Sequence, residues 1–363
     1  MSYSPAPRRV LMLIPSIVKR GIEDDVAAGR HPRMDYHALA GELRERGCKV
    51  DIVDYAALPL GRAGGKDLRL ALHGYARRRA YDAIFCNSES IALPLGALLR
   101  RDARRPRLVG IGHRISTGKK RLFFTKLRAM DGIDALFLYA SAQQRYAADA
   151  LGLDIARLPL IAFHADTRFF CPADAPAAER PLISAAGLEW RDYPTLLAVA
   201  ERMPDVDFHI AAASPWSKHR NETQGRALPA NVVVQRHPYD SLRDLYRRSS
   251  IVAAPLYETD FQAGVTTILE AMACGKPVVT SATSGQTDVV RDGDNGYYTP
   301  PGDADALEGR LRALLAAPRE RERVGRAARA WVVEHASLEL WTRRMADSLC
   351  ASAGRRVEPV KNT

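Results

Sequence analysis

Between Phe261 and Val279 the chain reads Phe-Gln-Ala-Gly-Val-Thr-Thr-Ile-Leu-Glu-Ala-Met-Ala-Cys-Gly-Lys-Pro-Val-Val. These residue types, in this order, suit the binding of an anion carried on a sugar. Ala263 to Thr267 open an apolar helix, so free backbone N–H groups and the positive end of the helix dipole face outward. Gly264 lets a diphosphate approach the backbone around Val265, and the hydroxyls of Thr266 and Thr267 add donors. Glu270 follows on the same helix, within reach of a sugar hydroxyl on whatever carries the phosphates. The turn Gly275-Lys276-Pro277 then sends the chain into a buried strand from Val278 to Ser281.

This segment closely resembles the donor-binding motif of retaining, nucleotide-sugar-dependent glycosyltransferases of the GT-B fold, family four. The motif there runs Glu, seven residues, Glu, then Ala-Met-Ala-x-Gly-x-Pro-Val. Glu270 falls on the second Glu, which in the family holds the nucleotide ribose. Gln262 falls on the first, which touches the donor sugar; the amide keeps hydrogen bonding and gives up charge. Glu258 and Asp260 stand just upstream, where either can supply a carboxylate. Gly187-Leu-Glu-Trp-Arg-Asp-Tyr193 is similar to a shortened form of the family's Gly-Arg-x-x-x-x-Lys-Asp-Tyr loop. Leu188 replaces the Arg beside Gly187, so the resemblance leaves Arg191 to stabilise the leaving diphosphate. Ser284 to Asp288 resembles the family's Gly-Gly-x-x-Glu turn, which borders the donor.

The elements that must position these groups alternate strand and helix twice over. In the first series we read strands at 10–15, 48–53, 81–86, 107–112 and 135–140. Helices are expected at 34–46, 91–101 (with Pro94 in the first turn) and 142–151. Ligands in such sheets sit at the carboxyl ends of strands, here 16–21, 87–90 and 113–120. The resemblance puts His113, after the fourth strand, near the donor sugar, though a lone ring also suits a structural role. It gives Lys19, Arg20 and Gly21 the place of the family's glycine-rich loop, without its Gly-Gly pair. Arg114 and Lys119 read as cations for a phosphate on the acceptor.

The second series has strands at 182–186, 208–213, 232–236, 251–255 and 278–281, with helices at 193–203, 241–248, 303–316, 320–334 and 338–349. Phe163 to Pro172 resembles the family's interdomain segment at Asp166, Phe170 and Pro172. Trp216 reads either as a base-stacking ring or as cover for the core.

A chain of 363 residues suits two domains. Residues 1–165 hold 28 Lys and Arg against 16 Asp and Glu, a net +12, while the remainder holds 25 against 26, a net −1. The basic half suits anionic lipid, lipid phosphate or anionic glycan, or is plain solvated surface. No zinc spacing or aromatic-basic pattern points to nucleic acid. No apolar run approaches the roughly 20 residues of a membrane span, and residues 1–9 lack a secretion-signal core. Five scattered cysteines read as free thiols of a reducing cytoplasm.

The fold expected is α/β, two facing Rossmann-like domains (GT-B) with a deep interdomain cleft. The domains are 1–165 with a crossing helix at 336–350, and 166–335, followed by a loose tail at 351–363. With no DxD-type carboxylate pair, zinc spacing or H-E-x-x-H in a convincing context, the enzyme expected is metal-independent and cytoplasmic, associated with or free of the membrane, without cofactor beyond its nucleotide-diphosphate sugar co-substrate. It would move that sugar, with retention, to a glycan, lipid-linked or small-molecule acceptor. The alternatives are a noncatalytic GT-B protein that binds a nucleotide or glycan, an acceptor-free epimerase, and an enzyme of secondary metabolism.

Overall fold

The computed structural model describes residues 8–19, 21–58, 65–173, 179–212 and 228–351. Arg20 and Trp216 lie outside the described residues. The chain forms two compact units, one of Met1–Arg20, Met34–Ile161 and Trp341–Thr363, the other of Gly21–Arg33 and Ala162–Leu340. Residues 21–33 thus go with the second unit, although the sequence places them in the first domain. Arg33 explains this: its backbone N–H and guanidinium grip Asp166, and Nη2 also reaches Glu339 at 2.8 Å.

Among the described residues the first unit holds five parallel strands in the order β2-β1-β3-β4-β5. They are β1 (Arg9–Leu13), β2 (Lys49–Val53), β3 (Ala83–Cys86), β4 (Arg107–Gly112) and β5 (Ala135–Leu138). Every residue of β3 and β5 is buried, as in a sheet covered on both faces. The order reverses between β1 and β3, which sets the crevice of this sheet at the ends of those strands.

Among the described residues the second unit holds six parallel strands in the order β11-β10-β9-β6-β7-β8. They are β6 (Leu182–Ala186), β7 (Asp207–Ala211), β8 (Val232–Val234), β9 (Ile251–Ala254), β10 (Val278–Ser281) and β11 (Tyr297–Thr299). Renumbered within the unit, this is the 3-2-1-4-5-6 order of dinucleotide-binding sheets, with its switch point between β6 and β9. One face packs on the helices Tyr239–Arg248 and Val265–Ala273, the other on Tyr193–Arg202 and Ala304–Ala316.

The described elements fall within a few residues of those read from the sequence. Besides short 3-10 turns, the sequence reading does not include the helices Ile22–Ala27, Lys66–Arg77 and Gly118–Thr125, or β11. Pro94 needs correcting. Its helix starts earlier, at Glu89, with the Ser88 hydroxyl accepting the Ser90 N–H at 3.1 Å. The proline therefore sits inside the helix, past the first turn, where it removes one backbone donor.

Candidate functional site

The two segments leaving β6 and β9 meet at the switch point of the second sheet. Gly187 ends β6 with φ +87°, and the turn brings Arg191 into a bridge with Leu256. The Tyr257 N–H bonds the Trp190 carbonyl at 3.1 Å and the Asp192 N–H bonds that of Pro255 at 3.0 Å. Asp192 then caps the next helix, accepting the Thr195 N–H at 3.1 Å.

Arg191 lies at the centre, 5% exposed. Its Nε donates to the Ala186 carbonyl at 2.8 Å, Nη1 to the Glu189 carbonyl at 2.8 Å, and Nη2 to Thr267 Oγ1 at 3.0 Å. Two glycines make room for it. A Cβ on Gly187 would stand 2.6 Å from Nη2, and one on Gly264, itself at φ +78°, would stand 3.1 Å from Nη1. Each therefore needs glycine for both its left-handed backbone and its closeness to the guanidinium. Burial lowers the Arg191 pKa, while Tyr193, Tyr246, Glu189 and Glu270 pull the other way. An arginine remains charged in such a place, and among the described residues its Nε, Nη1 and Nη2 each donate to the protein.

Gly264 is also the N-cap of the Val265–Ala273 helix, whose first intrahelical bond runs from the Ile268 N–H to the Gly264 carbonyl at 3.1 Å. The N–H groups of Val265, Thr266 and Thr267 precede that bond and form the open end of the helix. Thr266 is exposed there. Thr267 corrects the sequence reading: one helical step round, it is buried, its hydroxyl donating to Ala186 O at 3.2 Å and accepting from Arg191. It braces the site from within and does not offer a hydroxyl to an anion.

Glu270 is 6% exposed and accepts from the Tyr246 hydroxyl at 3.1 Å. Burial pushes its pKa up to about 8, against the pull of Tyr246 and Arg191, so at neutral pH the carboxyl is largely protonated. Gln262, buried upstream, donates from Nε2 to Asp288 at 3.4 Å, and its Oε1 is buried without a hydrogen-bond partner among the described residues. Asp260 is half-buried. The following loop lies alongside: the Gly285 N–H reaches Thr259 O at 2.9 Å and the Ser284 N–H reaches Glu258 Oε1 at 2.9 Å. Glu258, read as a spare carboxylate, is thus partly committed to that loop.

Sequence reasoning missed Trp190. It holds φ +55°, costly for a bulky side chain, and meets Phe261 edge to face with ring centroids 6.2 Å apart. The loop resemblance drew attention to Arg191 beside it, and nothing in the sequence marks a Trp as left-handed.

In the first unit His113 follows β4 and is exposed, its ring 5.3 Å from that of Tyr139. Glu89, buried at the start of its helix, accepts the backbone N–H of His113 at 3.0 Å and of Arg114 at 3.4 Å, and pairs with Lys120. Burial alone would raise the Glu89 pKa, but His113 and Lys120 hold it below the usual carboxylate value. Lys120 is therefore spent inside the loop, while Lys119 and Lys19 are exposed. Gly21, at φ +75°, is the N-cap of Ile22–Ala27 and goes with the second unit, apart from Lys19. The structure thus gathers Arg191, Gly187, Gly264 and the helix end in one place, and does not gather the first-unit residues in the same way.

Residues 188–331 match the sequence profile of glycosyl transferases group 1. The chain is 28% identical over 240 residues to a D-inositol 3-phosphate glycosyltransferase of Kribbella flavida, covering 58% of this chain and 54% of that one. It is 29% identical over 260 residues to its namesake from Mycolicibacterium vanbaalenii, covering 63% and 55%. The chain thus spans about half the length of these curated relatives. Among solved structures, a sucrose-phosphate synthase of Thermosynechococcus elongatus superposes with a TM-score of 0.72 at 17% identity, over 94% of this chain and 98% of that one. HepE of Anabaena, solved with UDP and glucose, gives 0.69 at 18% identity over 95% and 100%. The profile match is thus confined to residues 188–331, and the two parallel-sheet α/β units have the fold of these solved structures.

Proposed function

We propose that this protein is a retaining glycosyltransferase, moving a sugar from a nucleotide diphosphate to an acceptor hydroxyl. The observation that supports this best is the buried Arg191 guanidinium, set behind an open helix end between two left-handed glycines at the switch point. A diphosphate seated on the N–H groups of Val265 to Thr267 would meet a fixed positive field from both the helix and Arg191. That field gains strength as the leaving group takes on charge, and it costs no reorganisation because the protein already holds it in place. Glu270 suits the ribose hydroxyls, and the unpartnered Gln262 Oε1 suits a hydroxyl of the donor sugar.

In the reaction we favour, the bond from the anomeric carbon to the diphosphate oxygen breaks and a bond to the acceptor oxygen forms on the same face. The acceptor proton passes to the departing phosphate, so no side-chain nucleophile is required. The reading uses no metal and no further cofactor. The relatives named above suggest UDP-glucose as the first donor to try and a phosphorylated polyol as the first acceptor. His113 would approach the donor sugar, with Lys19, Arg20, Gly21, Arg114 and Lys119 serving the acceptor side. A glycan or lipid-linked acceptor, met at an anionic membrane in the cytoplasm, fits the basic first half as well. Among the described residues no helix is long and apolar enough to cross a membrane.

The test is nucleotide release from UDP-, GDP-, ADP- and dTDP-sugars with inositol 3-phosphate and other phosphorylated polyols, followed by proton NMR of the product. Release of one nucleotide, with the anomeric configuration kept, is expected. Binding of a donor without release in any pairing would favour the noncatalytic alternative, and an inverted product would end the retaining mechanism.

A further inference from the structure

The last helix, Leu338–Cys350, ends beside the start of β2. Cys350 Sγ lies 3.8 Å from Cys48 Sγ, although 302 positions separate them in the chain. Several bonds hold the two backbones here. Arg46 Nη1 meets Asp347 Oδ1 at 2.6 Å, Arg107 Nε donates to the Ser348 carbonyl at 2.6 Å, and the Arg8 guanidinium holds the Cys350 carbonyl. The Cys48 N–H is bonded to the Leu43 carbonyl at 2.9 Å. An S–S bond of about 2.0 Å needs the two sulfurs to approach by roughly 1.8 Å, a distance within reach of side-chain rotation. Cys86 and Cys274 are buried elsewhere, and Cys171, in the second unit, takes a contact of 3.2 Å from Arg247 Nη2.

We propose that Cys48 and Cys350 form a dithiol–disulfide pair that reacts with small-molecule disulfides, and that the bond staples the end of the last helix to β2. The inference stands apart from the proposed transferase activity. Cys350 is the more exposed of the two and attacks first. Its thiolate breaks the small disulfide, one thiolate departs, and Cys350 carries the other half as a mixed disulfide. The Cys48 thiolate then attacks the Cys350 sulfur and expels the second small thiolate. The two protons of the protein thiols end on the two released small thiols, so one disulfide is exchanged for another. Burial, with Cys350 next to it, pushes the Cys48 thiol up to about 11, which suits a resolving partner better than a first attacker. The ring closed would span most of the chain and so constrain the unfolded state strongly.

The test uses the full chain, reduced with dithiothreitol, freed of it, and incubated folded with oxidised glutathione. We expect free thiols to fall from five to three, with the intact mass losing two hydrogens. Peptide mapping should find one cross-link, Cys48 to Cys350, and the melting temperature should rise by several degrees and fall back on reduction. Cys48→Ser should leave an unresolved glutathione adduct on Cys350. Cys350→Ser, at the more exposed position, should abolish the cross-link while its reduced form melts with the reduced parent. Five free thiols throughout, or a stable adduct on Cys350 of the parent without a cross-link, would overturn the proposal.

Discussion

In the second unit the candidate side chains hold one another. Arg191 ties the carbonyls after β6 to Thr267 on the helix, and Glu270 takes the Tyr246 hydroxyl behind it. In the first unit Lys19, His113 and Lys119 are exposed, and the buried ionic contact of Glu89 with Lys120 shapes the backbone of the 113–120 loop. On the proposed reading one half holds its charge in place beforehand, and the other presents exposed cations. A group proposed to stabilise developing charge gains from being fixed and dry, whereas cations proposed to attract an anionic acceptor work from solvent.

The sharpest way to break this contrast is to remove the buried charge. Arg191→Ala removes the guanidinium from the Glu189 carbonyl and one of two side-chain donors from that of Ala186, so we expect a loss of about 3 kcal/mol in urea unfolding, with nucleotide release abolished. Unchanged stability would mean that Arg191 is not the internal brace described here. Arg191→Lys, which keeps charge but loses the fork, should fold and lower kcat by about 100-fold.

This contrast also governs how much could be read in advance. The order Gly264 to Pro277 specified loop, helix, turn and strand because each local signal agreed with the next, and the helix runs Val265–Ala273 as expected. The inward turn of Thr267 was less legible, since two adjacent threonines look alike until the helical phase is fixed by what lies behind them. That phase is set by Ala186, 81 positions away. The same holds for Glu89, which reads as an ordinary first-turn acid of a helix. Its role comes from a loop two dozen residues on, and no sequence spacing records it. Gly21 reads as part of a loop after β1, yet the contacts of Arg33 with Asp166 carry residues 21–33 into the other unit.

A smaller effect tests the protonation of the site. The raised Glu270 pKa has a fixed sign for stability. Between its unfolded value near 4.5 and its folded value near 8 the folded state holds more proton, so this group makes stability fall as pH rises through that window. If the carboxylate is the form that accepts ribose hydroxyls, nucleotide affinity should rise with pH, by at most about tenfold per unit, and level off above 8. Titration calorimetry between pH 6 and 9 measures it, and Glu270→Gln should flatten the slope. A parent protein with no slope would leave Glu270 outside the binding site.

The smallest effects belong to the first unit. Lys19→Ala and Lys119→Ala, at exposed positions, should change stability by less than about 0.5 kcal/mol. Each should raise the acceptor KM several-fold and leave donor binding alone. Equal changes in kcat would mean that these lysines touch the reacting groups, and the contrast between a fixed half and an open half would narrow.

The central claim is that the diphosphate sits on the open end of the Val265–Ala273 helix, in front of Arg191. The most direct measurement is amide hydrogen exchange with and without saturating nucleoside diphosphate, chosen from UDP, GDP, ADP and dTDP by thermal shift. The account predicts new protection concentrated in the peptides covering 187–192 and 261–270, absent in Glu270→Ala at the same nucleotide concentration. Protection elsewhere with those two segments unchanged, or no binding by any of the four, would contradict it.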